Sequence, residues 1–186
     1  MQAIGKKAIA LLLAVAMLCV VPVIGAQAEE TFSSQLKTDI GLFRIDDPHK
    51  AGQEFVLDFA QMQTVRAYLE MENPNTTVTV SIHSNVNEAP VRSQSFTFQD
   101  AFSGWVTMTM DEPLSLTKGE RYTLVLTSNA KTIWKGVPKV NSYNAWNYDA
   151  EAYGGWNQEP YSTAFEILPP PASWEVVTQS IAALPD

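Results

Sequence analysis

The chain has 186 residues, of which 20 are acidic and 12 are basic, so its formal net charge is −8 at pH 7. Proteins that bind nucleic acid neutralise phosphates with clustered Lys and Arg residues, and an acidic balance argues against such a surface. The sequence therefore predicts no nucleic-acid partner.

The first 28 residues have the pattern of a secretory signal peptide. Two lysines precede an apolar stretch over residues 8–24, and Ala26-Gln27-Ala28 matches the A-x-A cleavage pattern. Removal of residues 1–28 leaves 158 residues and, because it takes away two lysines and no acid, a net charge of −10. We expect a secreted, extracellular product.

The only cysteine, Cys19, lies inside this signal, so the exported chain has no disulfide, no thiol nucleophile and no thiolate metal site. Its stability must then come from a hydrophobic core. A chain near this size is long enough to form such a core, since it buries roughly 68–70% of its unfolded surface on folding. No later apolar run approaches the length of a membrane span.

From Ile40 to Leu168 apolar and polar residues alternate in short runs. In chain order these runs are Phe55–Phe59, Val65–Met71, Thr77–Ile82, Phe96–Phe98, Trp105–Met110, Arg121–Thr127 and Phe165–Ile167. Alternation of this kind predicts strands with one face on a core and the other in water. Turn residues such as Lys118-Gly119 separate the runs, and this spacing predicts an all-β fold. We expect a two-sheet antiparallel β-sandwich over residues 38–168.

Residues 129–161 depart from this pattern, because they contain few aliphatic residues and seven large aromatic ones. A long stretch without clear periodicity is typical of a functional loop, and the aromatic content argues against disorder. We expect an ordered pair of loops with one short strand around Ile133-Trp134.

This segment is also the candidate binding site. Sugar rings present apolar C–H faces and hydroxyl edges, so a binder needs exposed aromatic rings beside amide, carboxylate or hydroxyl groups. Positions 143–149 supply that mixture. The predicted ligand-binding residues are Trp134, Tyr143, Asn144, Trp146, Tyr148, Asp149 and Tyr153. The alternative, that these rings close one end of the sandwich as buried aromatic residues often do, stays open.

Three prolines, Pro169–Pro171, begin a spacer and short tail over residues 169–186. Beyond them four apolar residues recur at steps of three or four, namely Trp174, Val177, Ile181 and Leu184. With Ser173 as N-cap, this predicts a short amphipathic helix. It would dock on the sandwich or bind a protein partner through residues 173–184.

The run GWVTMTMDEPLSLTKGERYTLVLTS at 104–128 resembles the second half of bacterial extracellular jelly-roll domains of the choice-of-anchor and carbohydrate-binding-module type. TVTVSIHS at 77–84 resembles part of the first half, and Tyr153-Gly154-Gly155-Trp156 part of the closing strands. The resemblance covers about residues 38–168. It implies a jelly-roll-like, non-catalytic accessory or surface module whose partner is a polysaccharide or surface glycan, and it assigns no particular sugar.

No cofactor is predicted, although the resemblance leaves a structural calcium ion open. Calcium needs several converging oxygen ligands. Candidate ligands are Asp39, Asp46 and Asp47 near one predicted sheet end, and Asp149 with Glu151 in the aromatic segment. Solvated surface acids explain the same residues.

No catalytic motif of the H-E-x-x-H, G-x-S-x-G or P-loop type occurs. A glycosidase needs only two suitably placed carboxylates, but its cleft usually needs a larger scaffold. We therefore expect no enzymatic activity, with a small glycoside hydrolase as the weakest hypothesis. Two hypotheses lead: a secreted carbohydrate-binding sandwich, and a structural or protein-interaction module of the cell surface.

Overall fold

The computed structural model of the chain describes residues 32–33, 42–139 and 143–171. These residues form thirteen strands and no helix, and hence no helix that could span a membrane. The predicted signal peptide with Cys19, the acid Asp39 and the tail segment 173–184 lie outside the described residues.

The strands are short and follow one another closely. In chain order they are β1 (Phe32–Ser33), β2 (Leu42–Arg44), β3 (Lys50–Val56), β4 (Gln61–Met71), β5 (Thr76–His83), β6 (Arg92–Phe98), β7 (Phe102–Ser115), β8 (Arg121–Ser128), β9 (Thr132–Pro138), β10 (Ala145–Asp149), β11 (Gly155–Glu159), β12 (Tyr161–Thr163) and β13 (Phe165–Leu168).

The described strands pair into two antiparallel sheets. One has six strands in the order β11-β10-β3-β8-β5-β6. The other has seven, with β4 at its centre: β7 pairs along one side of β4, while β13 and β9 share the other side. Both sheets contribute to one hydrophobic core. The predicted all-β, two-sheet antiparallel β-sandwich is confirmed.

Period-two alternation decides which side chains enter that core. In β5, Val78, Val80 and Ile82 are fully buried, while the residues between them face outward. The outward hydroxyls form a ladder with those of β6 through the pairs Thr77–Thr97, Thr79–Ser95 and Ser81–Ser93, at 2.8–2.9 Å. Threonine and serine therefore suit these strands because cross-strand hydroxyl pairs stabilise a solvent-facing sheet surface.

The aromatic segment is not a pair of loops. The strand expected around Ile133-Trp134 is present as β9, but the segment also contains β10, β11 and the first residue of β12, so the expectation of loops around a single strand is wrong. Strands β10 and β11 have few aliphatic residues because they lie at the margin of the six-stranded sheet, where water meets one face and one edge.

Trp134 belongs to the core, which corrects its prediction as a ligand-binding residue. Its side chain on β9 is fully buried, and its ring packs edge-on against Phe165 with centroids 6.3 Å apart. Its indole Nε1 donates a hydrogen bond of 2.9 Å to the carbonyl oxygen of Ala164. With its polar group satisfied inside the protein, this ring has no open face for a ligand.

We expect Trp134→Ala to lower the free energy of unfolding by about 3–5 kcal/mol, because it leaves a large cavity and removes one of the two hydrogen bonds that the Ala164 carbonyl accepts. Urea denaturation at neutral pH measures this change. Ile133→Ala is the matched control, since Ile133 is adjacent but only partly buried on the opposite face of β9. Equal losses in the two variants would contradict the assignment of Trp134 to the core.

Candidate functional site

The hairpin of β10 and β11 forms one edge of the six-stranded sheet. Within it Trp146 pairs with Gln158 and Tyr148 with Trp156, while on the other side Trp146 pairs with Gly52. Directly paired residues project from the same side of a sheet. Seven residues of β3, β10 and β11 therefore share the outer side and define what we call the hairpin face: Lys50, Gly52, Glu54, Trp146, Tyr148, Trp156 and Gln158.

Aromatic rings occupy the centre and outer edge of the hairpin face. Tyr148 and Trp156 meet edge to face, with centroids 5.3 Å apart, and the Lys50 ammonium lies 5.0 Å from the Tyr148 centroid. All three rings, including that of Trp146, are partly exposed. The face therefore offers apolar ring surface to solvent.

Gly52 lies in close contact with the neighbouring strand β8. A Cβ atom at this position would lie 3.2 Å from the Thr123 methyl group, closer than side chains normally pack. Glycine within a strand often marks such a close approach. Gly52 is paired with Trp146 on β10. The indole Nε1 of Trp146 is buried and has no hydrogen-bond acceptor among the described residues.

A buried carboxylate fixes the point at which the chain enters β10. The Glu54 side chain is 12% exposed, and its Oε2 accepts hydrogen bonds from the Asn144 backbone N–H at 3.0 Å and from Arg121 Nη1 at 3.2 Å. Arg121 is half exposed, and its guanidinium carbon lies 5.8 Å from the Tyr143 ring centroid. Glu54 thus places an arginine and a tyrosine beside the hairpin face.

Asn144 joins the hairpin to its surroundings through its side chain as well. Its Oδ1 accepts hydrogen bonds from Gln158 Nε2 at 2.7 Å and from Lys139 Nζ at 3.4 Å. Its Nδ2 donates to no acceptor among the described residues. An amide donor therefore remains for a ligand at this end of the face.

A small groove of about 190 Å³ lies beside Trp146 on the same side of the sheet. Its walls are Glu54, Arg121, Thr123 and Trp146 together with the β5–β6 connection at 84–87. A larger depression of about 450 Å³ lies elsewhere, between Phe59, Leu116 and the prolines at 169–170, and no charged side chain lines it. The groove beside Trp146 combines charge, amide and ring, so it is the better candidate for recognition.

Asp149 stabilises the hairpin turn, and its prediction as a ligand contact stays a prediction. Its Oδ1 accepts hydrogen bonds of 2.9 Å from the backbone N–H groups of Glu151 and Ala152. Its Oδ2 lies 3.7 Å from His49 Nε2. These donors, the Ala152 N–H first, hold the pKa of Asp149 below its ordinary value of 3.8.

The candidate calcium ligands do not form a cluster of carboxylates in the described residues. Asp46 forms a two-pronged ion pair with Arg44 at 2.7 and 2.8 Å, and this hydrogen bonding lowers the pKa of Asp46. Within the ranges that the structure describes, no three His, Cys, Asp or Glu side chains converge as metal ligands.

Of the predicted site residues, Tyr143, Asn144, Trp146 and Tyr148 come together at the hairpin face. Tyr153 is 61% exposed in the turn between β10 and β11. Sequence reasoning missed the partners that complete the site, namely Lys50, Glu54, Arg121, Trp156 and Gln158. Glu54 carried a signal, since it stands between the core positions Gln53 and Phe55 and so had to face outward.

Neither a protein-family model nor a curated protein matches the chain. Two solved structures are similar over 74% of the chain. One is a variant of the clostridial cysteine protease Cwp84 after propeptide cleavage, with a TM-score of 0.49 and 14% identity over 39% of that structure. The other contains the cysteine protease and lectin-like domains of Cwp84, a surface layer associated protein of Clostridium difficile, with a TM-score of 0.48 and 12% identity over 35% of it. The chain spans less than half of either structure, and similarity at this level concerns the fold alone.

We expect Asp149→Ala to lower the urea midpoint at neutral pH, because two turn N–H groups lose their acceptor. Since the pKa of Asp149 is lowered in the folded state, its charge stabilises the fold above pH 3.8 and ceases to do so as the pH falls through the lowered pKa. The difference in midpoint between wild type and Asp149→Ala should therefore narrow from about pH 5 to about pH 2.

Asp149→Asn is the control, because the amide oxygen keeps the acceptor without the charge. At neutral pH, Asp149→Asn should lower the urea midpoint less than Asp149→Ala does. A difference between wild type and Asp149→Ala that stays constant down to the lowest pH would show that the carboxylate charge does not stabilise the turn.

Proposed function

We propose that the chain is a secreted, non-catalytic module that binds carbohydrate through the hairpin face. The observation that supports this most is the placement of Trp146, Tyr148 and Trp156 on adjacent strands, side by side and partly exposed. Flat ring surface of this kind suits the apolar C–H face of a sugar. Export is proposed from the signal pattern of residues 1–28.

Polar groups at the border of the rings suit the hydroxyl edge of a sugar. Asn144 offers an amide donor, and the half-exposed Arg121 donates one hydrogen bond, to Glu54, among the described residues although its guanidinium has five N–H donors. Because Glu54 and Gln158 hold these two side chains in place, a ligand would not have to order them on binding. The resemblance of residues 104–128 to carbohydrate-binding-module-like domains agrees with this proposal.

The charges of the face favour binding over hydrolysis. Glycosidases place two carboxyl groups about 5–10 Å apart around the scissile bond. Among the seven residues that define the hairpin face, Glu54 alone carries a carboxylate, and that carboxylate is engaged by Arg121 and by the Asn144 backbone. A second carboxylate for acid–base chemistry does not stand beside it on this face.

We expect Trp146→Ala to weaken binding to a retained polysaccharide by about thirtyfold or more, because removing a central aromatic contact typically costs at least about 2 kcal/mol. Affinity electrophoresis through gels containing soluble polysaccharides measures retention. Thermal unfolding of the same samples reports the stability of each variant.

Trp105→Ala is the matched control. Trp105 is a partly exposed tryptophan on the outer side of the other sheet, packed against Tyr68 and Arg66. Trp105→Ala should lower stability by on the order of 1 kcal/mol, because it removes a cross-strand aromatic pair with Tyr68, but only Trp146→Ala should lose retention. Equal loss of retention in both variants would contradict the proposal, as would the absence of any retained polysaccharide for the wild type.

A further inference from the structure

Most cations of the described residues are neutralised by a neighbour. The described ranges contain nine lysine and arginine residues. Six of them form ion pairs: Arg44–Asp46, Arg66–Glu166, Arg92–Glu112, Arg121–Glu54, Lys131–Glu72 and Lys135–Glu70. Within these ranges, Lys50, Lys118 and Lys139 have no carboxylate within ion-pair distance.

Two of these three lysines lie at the proposed binding surface. The Lys50 ammonium lies over the Tyr148 ring at 5.0 Å, and Lys139 donates to the neutral Asn144 Oδ1 at 3.4 Å. Both side chains are on exposed residues. With Arg121, which pairs with Glu54, the surface therefore has three cations, in a chain whose net charge is −8.

The cations stand at the two ends of the row of rings. Lys50 pairs with Tyr148 at one end of β10, and Glu54 receives the Asn144 N–H at the other. Glu54 lies four positions after Lys50 on β3, which corresponds to about 13 Å at about 3.3 Å per residue. Trp146 lies between these ends, opposite Gly52.

We infer that the hairpin face binds an anionic polysaccharide, as an extended chain along β3 and β10. One anionic group lies near Lys50 and another near Arg121 and Lys139, while the sugar rings between them contact Trp146. This inference rests on the proposed carbohydrate-binding function and names its ligand class. Cations that have only neutral partners gain more from an incoming anion than cations already paired with carboxylates.

The recognised chemistry is a repeated negative charge on a sugar chain, which uronate carboxylates and phosphodiester-linked wall polymers both supply. The remainder of the protein is acidic and repels such polymers. Retention of a polyanion therefore requires the local cations of this surface.

The test measures the affinity of the full exported chain for three polymers: polygalacturonate, a teichoic acid and a neutral β-glucan. We expect at least one anionic polymer to bind about tenfold more tightly than the glucan, and the preferred one identifies the source of the charge. Lys50→Gln and Lys139→Gln should each lower the affinity for that polymer about threefold, as expected for exposed charge pairs.

Lys118→Gln is the matched control, because Lys118 also lacks a carboxylate partner but lies in the turn between β7 and β8. It should leave the affinity for the anionic polymer unchanged. The loss of affinity for the glucan in Lys50→Gln and Lys139→Gln should be smaller than the loss for the anionic polymer, because the glucan carries no charge for either lysine to pair with.

Equal or tighter binding of the neutral glucan, sensitive to Trp146→Ala, would overturn this inference and leave the proposed function standing. Binding of an anionic polymer that Trp146→Ala does not weaken would overturn both, because the charges would then act without the rings. Absence of binding to all three polymers would also overturn both. Equal effects of Lys118→Gln and Lys139→Gln would overturn the assignment of the anion to this surface.

Discussion

The register between β3 and β10 is the constraint on which the binding surface depends. A shift of one residue would turn Trp146 and Tyr148 toward the core and bring Ala145 and Asn147 to the surface. The register is fixed at Asn144, whose backbone N–H is accepted by Glu54 Oε2 and whose carbonyl accepts the Glu54 N–H at 2.8 Å. A single glutamate thus binds both backbone groups of the residue that precedes β10.

Gln53 reinforces this register from the inner side of the sheet. It is 1% exposed, and its Nε2 donates to the Asn144 carbonyl while its Oε1 accepts the Thr163 N–H at 2.9 Å. Thr163 belongs to β12 in the seven-stranded sheet, so one buried amide connects the hairpin to both layers. Buried polar groups with satisfied partners specify a single arrangement, because any other would leave them unpaired at a cost of about 1–3 kcal/mol each.

Local alternation made the central strands predictable and left the hairpin unpredicted. In β5 the pattern of Val78, Val80 and Ile82 identifies the strand and its buried face without knowledge of any partner. The hairpin is defined by partners about 90 residues away in sequence, as in the bond from Asn144 to Glu54, and no local pattern encodes them. The aromatic composition of residues 143–149 did single out four residues that lie close together in the structure, at or beside the hairpin face. It could not separate them from Trp134, because Ile133 and Trp134 are both apolar and either could have faced the core.

The two outer faces of the sandwich contain similar residues but differ in how those residues are paired. On the seven-stranded sheet Arg66 covers the Trp105 ring and pairs with Glu166, and Lys135 pairs with Glu70. The Trp105 ring and the charges of Arg66 and Lys135 therefore have partners within the protein. Few groups on that face are left to contact a ligand. On the hairpin face the ring of Trp146 has no aromatic or cationic partner among the described residues, and two lysines contact only neutral groups. A side chain that already has a partner must lose it before it contacts a ligand. The hairpin face is therefore the more favourable surface for binding, because, among the described residues, its Trp146 ring has no aromatic or cationic partner to lose and its two lysines have no carboxylate partner.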